Sequence, residues 1–309
     1  MALTIEQAST LENFFQKSDF SNTGAVITDL DGTAVHEYND MIVIHNEVAR
    51  GLQMVYNLGR PIVINTLRFP ISVIKTFAKE WYEMSRNPIP VVLLNGSQLG
   101  YIKDSAGTYV FEQIKSFPLE PVEIEEVIEG MKKLFKDDMK DLVLFFYPED
   151  WTLGEIIWTP NPEKIASISK KYQSASSVIS TGIDELKTIL LAQPVCMILL
   201  LVEASDDQLM AYQHTRQSNF ITHHKVDKLS GTVAMAKELG FSLEDSIGAG
   251  DSRMDVFLTA VGLSVHVRTK DLPYEGKRLT ITLDDYNDYG LILSLLSSMQ
   301  KQQLITDQT

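Results

Sequence analysis

The sequence predicts an α/β fold in which a core with a parallel sheet is interrupted by an inserted α+β domain. At both ends of the chain, short apolar runs alternate with segments of helical spacing, which is the pattern of βαβ units. Between residues 117 and 220, strand-like runs follow one another with helices between them, as in antiparallel α+β units. We therefore expect a core of residues 1–116 and 221–309 and an inserted domain of residues 117–220.

Composition narrows the class of protein. The 309 residues are 44% hydrophobic and 22% charged, and the net charge is −14. This balance is typical of a soluble globular protein and argues against binding to nucleic acid or to an anionic membrane. Cys196 is the only cysteine, so an internal disulfide is excluded. Because the N-terminus has no signal-like apolar segment, we expect a cytoplasmic protein. The sequence does not decide between a monomer and a homo-oligomer.

The sequence before residue 97 predicts a helix and a strand, followed by two helix–strand repeats. Helical spacing over 1–22 precedes a buried strand, and a polar loop follows at 37–40. The later elements are, in order, a helix over 45–58, a strand over 61–66, a helix over 71–84 and a strand over 89–96.

The remaining elements divide between the insert and the returning core. The predicted insert follows a hairpin of 99–103 and 108–117, and holds helices over 121–135, 162–172, 183–191 and 206–215 and strands over 142–146, 153–159, 177–180 and 195–202. The returning core holds helices over 229–239, 254–261 and 289–300 and strands over 245–250, 263–267 and 279–283.

Two carboxylates end the first strand. Asp29 and Asp31 are separated by one residue and followed by Gly32, so on an extended backbone they lie on the same side. They repel each other unless a cation lies between them or one holds a proton, and both remedies point to catalysis. The alternative is an Asp-Gly turn whose acids only cap and solvate the bend.

A second acidic pair follows a later strand. In Gly250-Asp251-Ser252-Arg253-Met254-Asp255, the two acids are about one helical turn apart and can face the same point. Such a carboxylate cluster beside a phosphate suits Mg²⁺. The alternative is helix capping by Asp251 or Ser252.

Two further residues could bind a phosphoryl group. Thr66 ends the second core strand, and Lys228 precedes a predicted helix. A hydroxyl and an ammonium placed there would bind phosphoryl oxygens. Taken singly, a cap and a solvated surface lysine are the ordinary interpretations.

Together these stretches resemble the haloacid dehalogenase (HAD) superfamily of phosphatases. All four motifs occur in order: Asp29-Leu30-Asp31-Gly32-Thr33, Thr66, Lys228 and Gly250-Asp251 with Asp255. Thr66-Leu67-Arg68 and Asn95-Gly96 resemble the Cof-type and sucrose-phosphate-phosphatase-like branch, and the long insert resembles its IIB-type cap. The resemblance implies a HAD-like Rossmannoid core with the insert as cap domain.

The resemblance also implies roles for the two acids of the first motif. Asp29 would be the nucleophile that forms an aspartyl-phosphate, and Asp31 would be the general acid and then the general base.

Mg²⁺ would be held by Asp29, the backbone carbonyl of Asp31, Asp251 and Asp255. Thr66 and Lys228 would bind the transferring phosphoryl group. The residues expected to support the site are Arg68, Asn95 and Ser252.

Three positions depart from the branch's pattern. Met254 replaces the usual Asn, Leu229 the Gly after the lysine, and Leu67 the Gly of Thr-Gly-Arg. None of these departures removes a proposed catalytic group. Each one weakens the inference that this chain shares the substrate of a particular subfamily. Candidate cap contacts to the substrate are Glu149, Asp150, Trp151, Glu155, His214 and Arg216.

The leading hypothesis is a Mg²⁺-dependent phosphatase that hydrolyses a small phosphorylated metabolite, with a sugar phosphate as first guess. Phosphotransfer to another acceptor, as in a mutase, and a non-catalytic ligand-sensing module are the alternatives.

Overall fold

The computed structural model of the chain describes residues 3–39, 41–136, 142–202, 219–269 and 272–306. It forms two compact units. The first contains Met1–Leu67, Val73–Ile114 and Asp227–Thr309, and the second contains Arg68–Ser72 and Lys115–Val226. The predicted domain boundaries stay a prediction.

The strands of the described residues, in chain order, are Val26–Thr28 (β1), Val35–Tyr38 (β2), Met41–Ile44 (β3), Ile62–Asn65 (β4), Ile89–Leu93 (β5), Gln98–Ser105 (β6), Thr108–Ser116 (β7), Leu142–Pro148 (β8), Ile156–Thr159 (β9), Ser177–Ser180 (β10), Val195–Val202 (β11), Asn219–Thr222 (β12), Ile247–Gly250 (β13), Leu263–Val267 (β14) and Leu279–Leu283 (β15). The α-helices are Ile5–Lys17 (α1), Phe20–Thr23 (α2), Asn46–Tyr56 (α3), Pro70–Val73 (α4), Lys79–Ser85 (α5), Pro121–Lys136 (α6), Ile165–Lys171 (α7), Ile183–Leu191 (α8), Lys228–Leu239 (α9) and Tyr286–Thr306 (α10).

Strand β1 lies near the middle of the eight-stranded sheet of the first unit. The strand order is β15-β14-β13-β1-β4-β5-β6-β7. Strands β15 to β5 in this order are parallel, and β6 returns antiparallel to β5. All residues of β1, β4 and β13 are buried, as expected for strands covered on both faces. The predicted α/β fold with a parallel sheet is confirmed.

The second unit has a five-stranded mixed sheet in the order β10-β9-β8-β11-β12. Among the described strands of this sheet, β9 and β10 pair in parallel and the other neighbours pair antiparallel. Every residue of β8 is buried, because both faces of this strand are covered. Phe146 packs with Ile128 of α6 and Leu186 of α8 in one apolar cluster. Phe145 makes an edge-to-face contact with Tyr172, with ring centroids 4.9 Å apart.

Two predicted elements of the first unit were wrong. Within the polar loop predicted over 37–40, Glu37 and Tyr38 belong instead to β2, where they pair with Ile42 and Met41 of β3. The helix predicted over 254–261 is only a 3₁₀ turn, Val256–Thr259. The helix predicted over 71–84 is present, as α4, a π-helical segment Ile74–Ala78 and α5 in direct succession.

The helix predicted over 206–215 lies outside the described residues. Among the residues that are described, no helix is both long and apolar enough to cross a membrane.

Candidate active site

The C-terminal ends of β1, β4 and β13 bring three of the predicted residues to one edge of the sheet. Because β1 pairs in parallel with both β4 and β13, the residues that follow these strands are neighbours. Asp29 follows β1, Thr66 follows β4 and Asp251 follows β13. The Asp29 N–H donates to the Ala249 carbonyl at 3.0 Å, which fixes the register at this edge.

Lys228 joins the two acidic motifs. Its Nζ donates to Asp29 Oδ1 at 2.8 Å and to Asp255 Oδ1 at 2.6 Å. All three side chains are buried: Lys228 is 1% exposed, Asp29 5% and Asp255 0%. The ordinary interpretation of Lys228 as a solvated surface lysine is therefore wrong, because a fully buried ammonium needs carboxylate partners.

Helix α9 positions Lys228 as its first residue. Asp227 is the N-cap, and its carboxylate accepts the Ser230 N–H at 2.8 Å. At Gly96, which has φ of +95°, a Cβ atom would lie 2.1 Å from the Asp227 carbonyl oxygen. The turn after β5 can therefore approach the start of α9 only because residue 96 is glycine.

Asn65, the last residue of β4, holds the same helix and was missed by the sequence analysis. Its Nδ2 donates to the Lys228 carbonyl at 3.0 Å and to Thr232 Oγ1 at 2.7 Å. Asn65 is 0% exposed. An amide at the end of an otherwise apolar buried strand was the signal that could have identified it.

Asp255 fixes the turn after β13. Its Oδ2 accepts the Asp251 N–H at 3.0 Å, the Ser252 N–H at 2.9 Å and the Ser252 hydroxyl at 3.1 Å, while its Oδ1 faces Lys228. Both oxygens thus have protein donors. The predicted support residue Ser252 contacts Asp255 within this turn, and these bonds explain why the helix predicted from residue 254 does not form.

Gly32 allows the first acidic motif to approach the second. Its φ is +74°, and a Cβ atom there would lie 1.9 Å from Asp251 Oδ2. The backbone after Asp31 therefore lies directly against the Asp251 carboxylate, and any side chain at position 32 would displace it. Asp31 itself is half-buried, and its backbone forms an isolated β-bridge with Val35.

Asp29, Asp31, Asp251 and Asp255 form an acidic cluster whose negative charge exceeds the single positive charge of Lys228. Burial raises the pKa of Asp29 well above its ordinary value, and neighbouring Asp255, Asp251 and Asp31 raise it further, while Lys228 opposes the rise. Burial, and then the charge of Asp255, raise the pKa of Asp251 to about 7. Burial alone would lower the pKa of Lys228, but Asp255 and Asp29 outweigh it and raise that pKa.

This donor set fits a hard divalent cation. Asp29, Asp251 and Asp255 each offer one carboxylate oxygen, and these three oxygens lie within 4.8 Å of one another. Carboxylate oxygens are the ligands that Mg²⁺ prefers. Together with Asp31, these residues make four aspartates beside the single ammonium of Lys228. A divalent cation would balance the excess negative charge and lower the raised pKa values of Asp29 and Asp251.

Two other predicted residues meet where β4 and β5 end: the Asn95 N–H donates to the Thr66 carbonyl at 3.4 Å. Thr66 is buried at the strand end, and its N–H donates to the Val92 carbonyl at 2.9 Å. Asn95 is buried with φ of +56°, and its Oδ1 has no hydrogen-bond partner among the described residues. Arg68 belongs to the second unit, where its Nη1 donates to Ser72 Oγ at 2.8 Å.

The candidate cap contacts have different surroundings. Glu155 is 1% exposed and accepts the Tyr147 hydroxyl at 2.5 Å. Burial raises the pKa of Glu155, although Tyr147, Ser174 and Arg68 oppose the rise. Glu149 accepts the Ser116 hydroxyl, Asp150 caps the 3₁₀ turn Trp151–Leu153, and Trp151 is half-buried within that turn. His214 and Arg216 lie outside the described residues.

A second missed group supports the turn after β13. The Tyr274 hydroxyl donates to the Arg253 carbonyl at 2.6 Å. His266 of β14 is 4% exposed and hydrogen-bonds to the Tyr274 backbone. Burial lowers the pKa of His266, although that hydrogen bond and the charges of Asp255 and Glu275 oppose the shift. These residues lie far from the acids in sequence, and no local pattern indicated them.

Comparison with known proteins identifies the family. The sequence profile of the haloacid dehalogenase-like hydrolases matches residues 26–272. The chain belongs to this family. The resemblance stated from the four motifs is therefore confirmed, and the match spans both acidic motifs, Thr66 and Lys228. Comparison with curated protein sequences gives no significant match.

Solved structures of HAD phosphatases share the fold at low sequence identity. BT4131, a sugar phosphatase of HAD subclass IIB, is 16% identical with a TM-score of 0.60, covering 90% of this chain and 99% of its own. The phosphatase BT1666 from Bacteroides thetaiotaomicron is 13% identical with a TM-score of 0.59, covering 91% and 96%. A HAD/COF-like hydrolase from Plasmodium vivax is 15% identical with a TM-score of 0.65, covering 95% and 99%. The HAD-like fold is therefore shown.

Proposed function

We propose that this HAD-family chain is a Mg²⁺-dependent phosphatase that hydrolyses a small phosphorylated metabolite through an aspartyl-phosphate. The observation that carries the proposal is the buried contact of Lys228 with both Asp29 and Asp255. A buried carboxylate held by an ammonium and surrounded by further carboxylates is arranged for attack on an anionic group once a cation is bound. The sugar phosphatase among the similar structures makes a sugar phosphate the first substrate class to test.

In the first step, an oxygen of the Asp29 carboxylate attacks phosphorus while the bond from phosphorus to the ester oxygen breaks. Asp31 donates its proton to that oxygen, so the product leaves as a neutral alcohol. Lys228 keeps Asp29 oriented and neutralises part of the charge that gathers on the phosphoryl oxygens. Thr66, at the end of β4, would bind the same group.

In the second step, Asp31 accepts a proton from water as the water attacks phosphorus. The bond between Asp29 and phosphorus breaks, phosphate leaves and Asp31 is protonated again. Asp29, the backbone carbonyl of Asp31, Asp251 and Asp255 would hold Mg²⁺, with Asp255 acting through water because both its oxygens already accept protein donors. The bound ion would offset the repulsion between the anionic nucleophile and substrate.

The test is hydrolysis of an aryl phosphate, followed by a panel of sugar phosphates, with and without Mg²⁺. We expect Mg²⁺-dependent turnover that falls at least about 10³-fold in Asp29→Asn, because the amide is no nucleophile. Asp184→Asn is the matched control, since this side chain is 86% exposed in the second unit. Full turnover in Asp29→Asn would refute the proposal. Discharge of the phosphoenzyme by an added sugar instead of water would indicate a phosphotransferase, and ligand binding without turnover would indicate a sensing module.

A further inference from the structure

Two histidines of the first unit, outside the acidic cluster, lie side by side. His36 is in β2, and His45 is the residue directly before α3. Their ring centroids are 5.1 Å apart, and the ring planes are inclined by 46°. Both side chains are half-buried. The proposed phosphatase chemistry gives neither of them a role.

In each imidazole the Nδ1 atom is buried. The Nδ1 atoms of His36 and His45 are inaccessible to solvent, and neither has a hydrogen-bond partner among the described residues. Buried ring nitrogens in native proteins are normally satisfied by a protein group, a water or a metal ion. Two such nitrogens on adjacent rings therefore point to something that is shared between them.

The surroundings hold the two rings in place. Tyr286, in the first turn of α10, packs on both, with ring centroids 6.0 Å from His36 and 5.9 Å from His45. Arg268 fixes Tyr286, because its guanidinium donates to the Tyr286 hydroxyl and lies 4.7 Å from the ring centroid. The pair is thus a preorganised feature of three elements instead of a chance contact on one loop.

The charge of the site is compatible with a cation. Burial, and then the neighbouring His36, lower the pKa of His45, while Asp285 and Glu47 oppose this shift. His45 is therefore neutral at pH 7, which is the form of imidazole that binds a metal. The carboxylates of Asp285 and Glu47 would favour an ion beside that ring.

We propose that His36 and His45 together bind a divalent transition-metal ion of the zinc, nickel or copper class through their Nδ1 atoms. Imidazole nitrogens bind such ions at about 2.0–2.1 Å, which brings the centres of two rings on one ion to about 5 Å. The observed separation of 5.1 Å meets this requirement. Two imidazoles leave the other coordination positions to water, so the site would exchange its ion more readily than a four-ligand structural site.

This site differs from the acidic cluster in both chemistry and role. Imidazole suits zinc, nickel and copper, whereas a set of carboxylates suits Mg²⁺. An ion on His36 and His45 would connect β2, which begins two residues after Thr33, to the start of α3. It would stabilise the hairpin that follows the first acidic motif and take no part in phosphoryl transfer.

The test is equilibrium dialysis of the untagged full-length chain against Zn²⁺ in excess Mg²⁺, with thermal unfolding as the second readout. We expect one Zn²⁺ per chain bound with submillimolar affinity, and a rise in Tm on binding. His36→Phe keeps a ring to pack on Tyr286 and removes the nitrogen, and His45→Gln removes the other ligand. Both should lose the ion and the rise in Tm. His224→Gln, at an exposed position of the second unit, is the matched control and should keep both.

Cu²⁺ replaces Zn²⁺ in an electron paramagnetic resonance measurement that counts nitrogen ligands directly. We expect coupling to two imidazole nitrogens in the unchanged chain and loss of this two-nitrogen signal in either variant, and the carboxylates of the acidic cluster would contribute no nitrogen coupling. If His36→Phe fails to fold, His36→Gln takes its place. Absence of submillimolar binding, which would leave only water between the rings, overturns the proposal. So does binding that persists unchanged in both variants.

Discussion

Replacement of Asp251 by Asn isolates the electrostatic cost of the acidic cluster. The pKa of Asp251 is raised to about 7 by burial and by the Asp255 carboxylate, whereas the unfolded chain has a value near 3.9. The folded protein therefore binds more protons than the unfolded chain between about pH 4 and pH 7. Its free energy of unfolding must fall through this window as pH rises, and the loss is complete above about pH 7.

The size of this cost follows from the two pKa values. A difference of about 3 in pKa corresponds to about 4 kcal/mol at pH 8. Because the pKa shift of Asp251 comes partly from burial and partly from the charge of Asp255, we expect Asp251→Asn to recover between about 1 and 4 kcal/mol when no divalent ion is present. At about pH 4 the same substitution should have little effect on stability, because Asp251 is then protonated in both states.

Urea unfolding in EDTA at pH 4, 6 and 8, repeated with saturating Mg²⁺, measures this effect. We expect Asp251→Asn to be the more stable protein at pH 8 in EDTA, and Mg²⁺ to stabilise the unchanged chain far more than the variant. Asp184→Asn removes an exposed partner of Lys132 and should change the free energy of unfolding by at most about 1 kcal/mol, by the same amount with and without Mg²⁺. Loss of stability in Asp251→Asn at pH 8 in EDTA, or equal stabilisation of both proteins by Mg²⁺, would refute the reasoning.

Two other substitutions act on the same site in different ways. Asp255→Asn removes one partner of the buried ammonium of Lys228 and should lower the free energy of unfolding by about 3 kcal/mol. Urea unfolding measures this, and a more stable variant would contradict the structural role given to Asp255. Gly32→Ala places a methyl group where Asp251 Oδ2 lies and forces alanine to φ of +74°. Calorimetric titration should show Mg²⁺ affinity at least about tenfold weaker, a loss of about 1.4 kcal/mol, with the fold retained by circular dichroism. An unchanged affinity would show that residue 32 does not set the approach of the two acidic motifs.

The parts of the site that follow strands could be predicted from the sequence. An apolar run that ends in Asp29, and another that ends in Asp251, place their acids at one sheet edge once the strands are parallel. The alternation of strand and helix indicated that these strands are parallel. Lys228 was harder to assign, because its pattern as a single residue before a helix does not differ from that of a surface lysine.

The sequence could not show the contacts that join distant segments. Asn65 meets α9 across 163 residues, and Tyr274 meets Arg253 through a backbone carbonyl, which leaves no local pattern. The hairpin of β2 and β3 was missed because its strands are short and its tip is polar. The helix predicted from Met254 failed since Asp255 bonds to the backbone of its own turn.

Detection of a phosphoryl group on Asp29 tests the central claim most directly. The reaction with an aryl phosphate and Mg²⁺ is quenched in acid during turnover, and the peptides are analysed by mass spectrometry. We predict phosphoryl on Asp29, more of it in Asp31→Asn, because that variant lacks the base that activates water, and none in Asp29→Asn. Turnover of the unchanged chain with no phosphoryl on Asp29 in either protein would contradict the account.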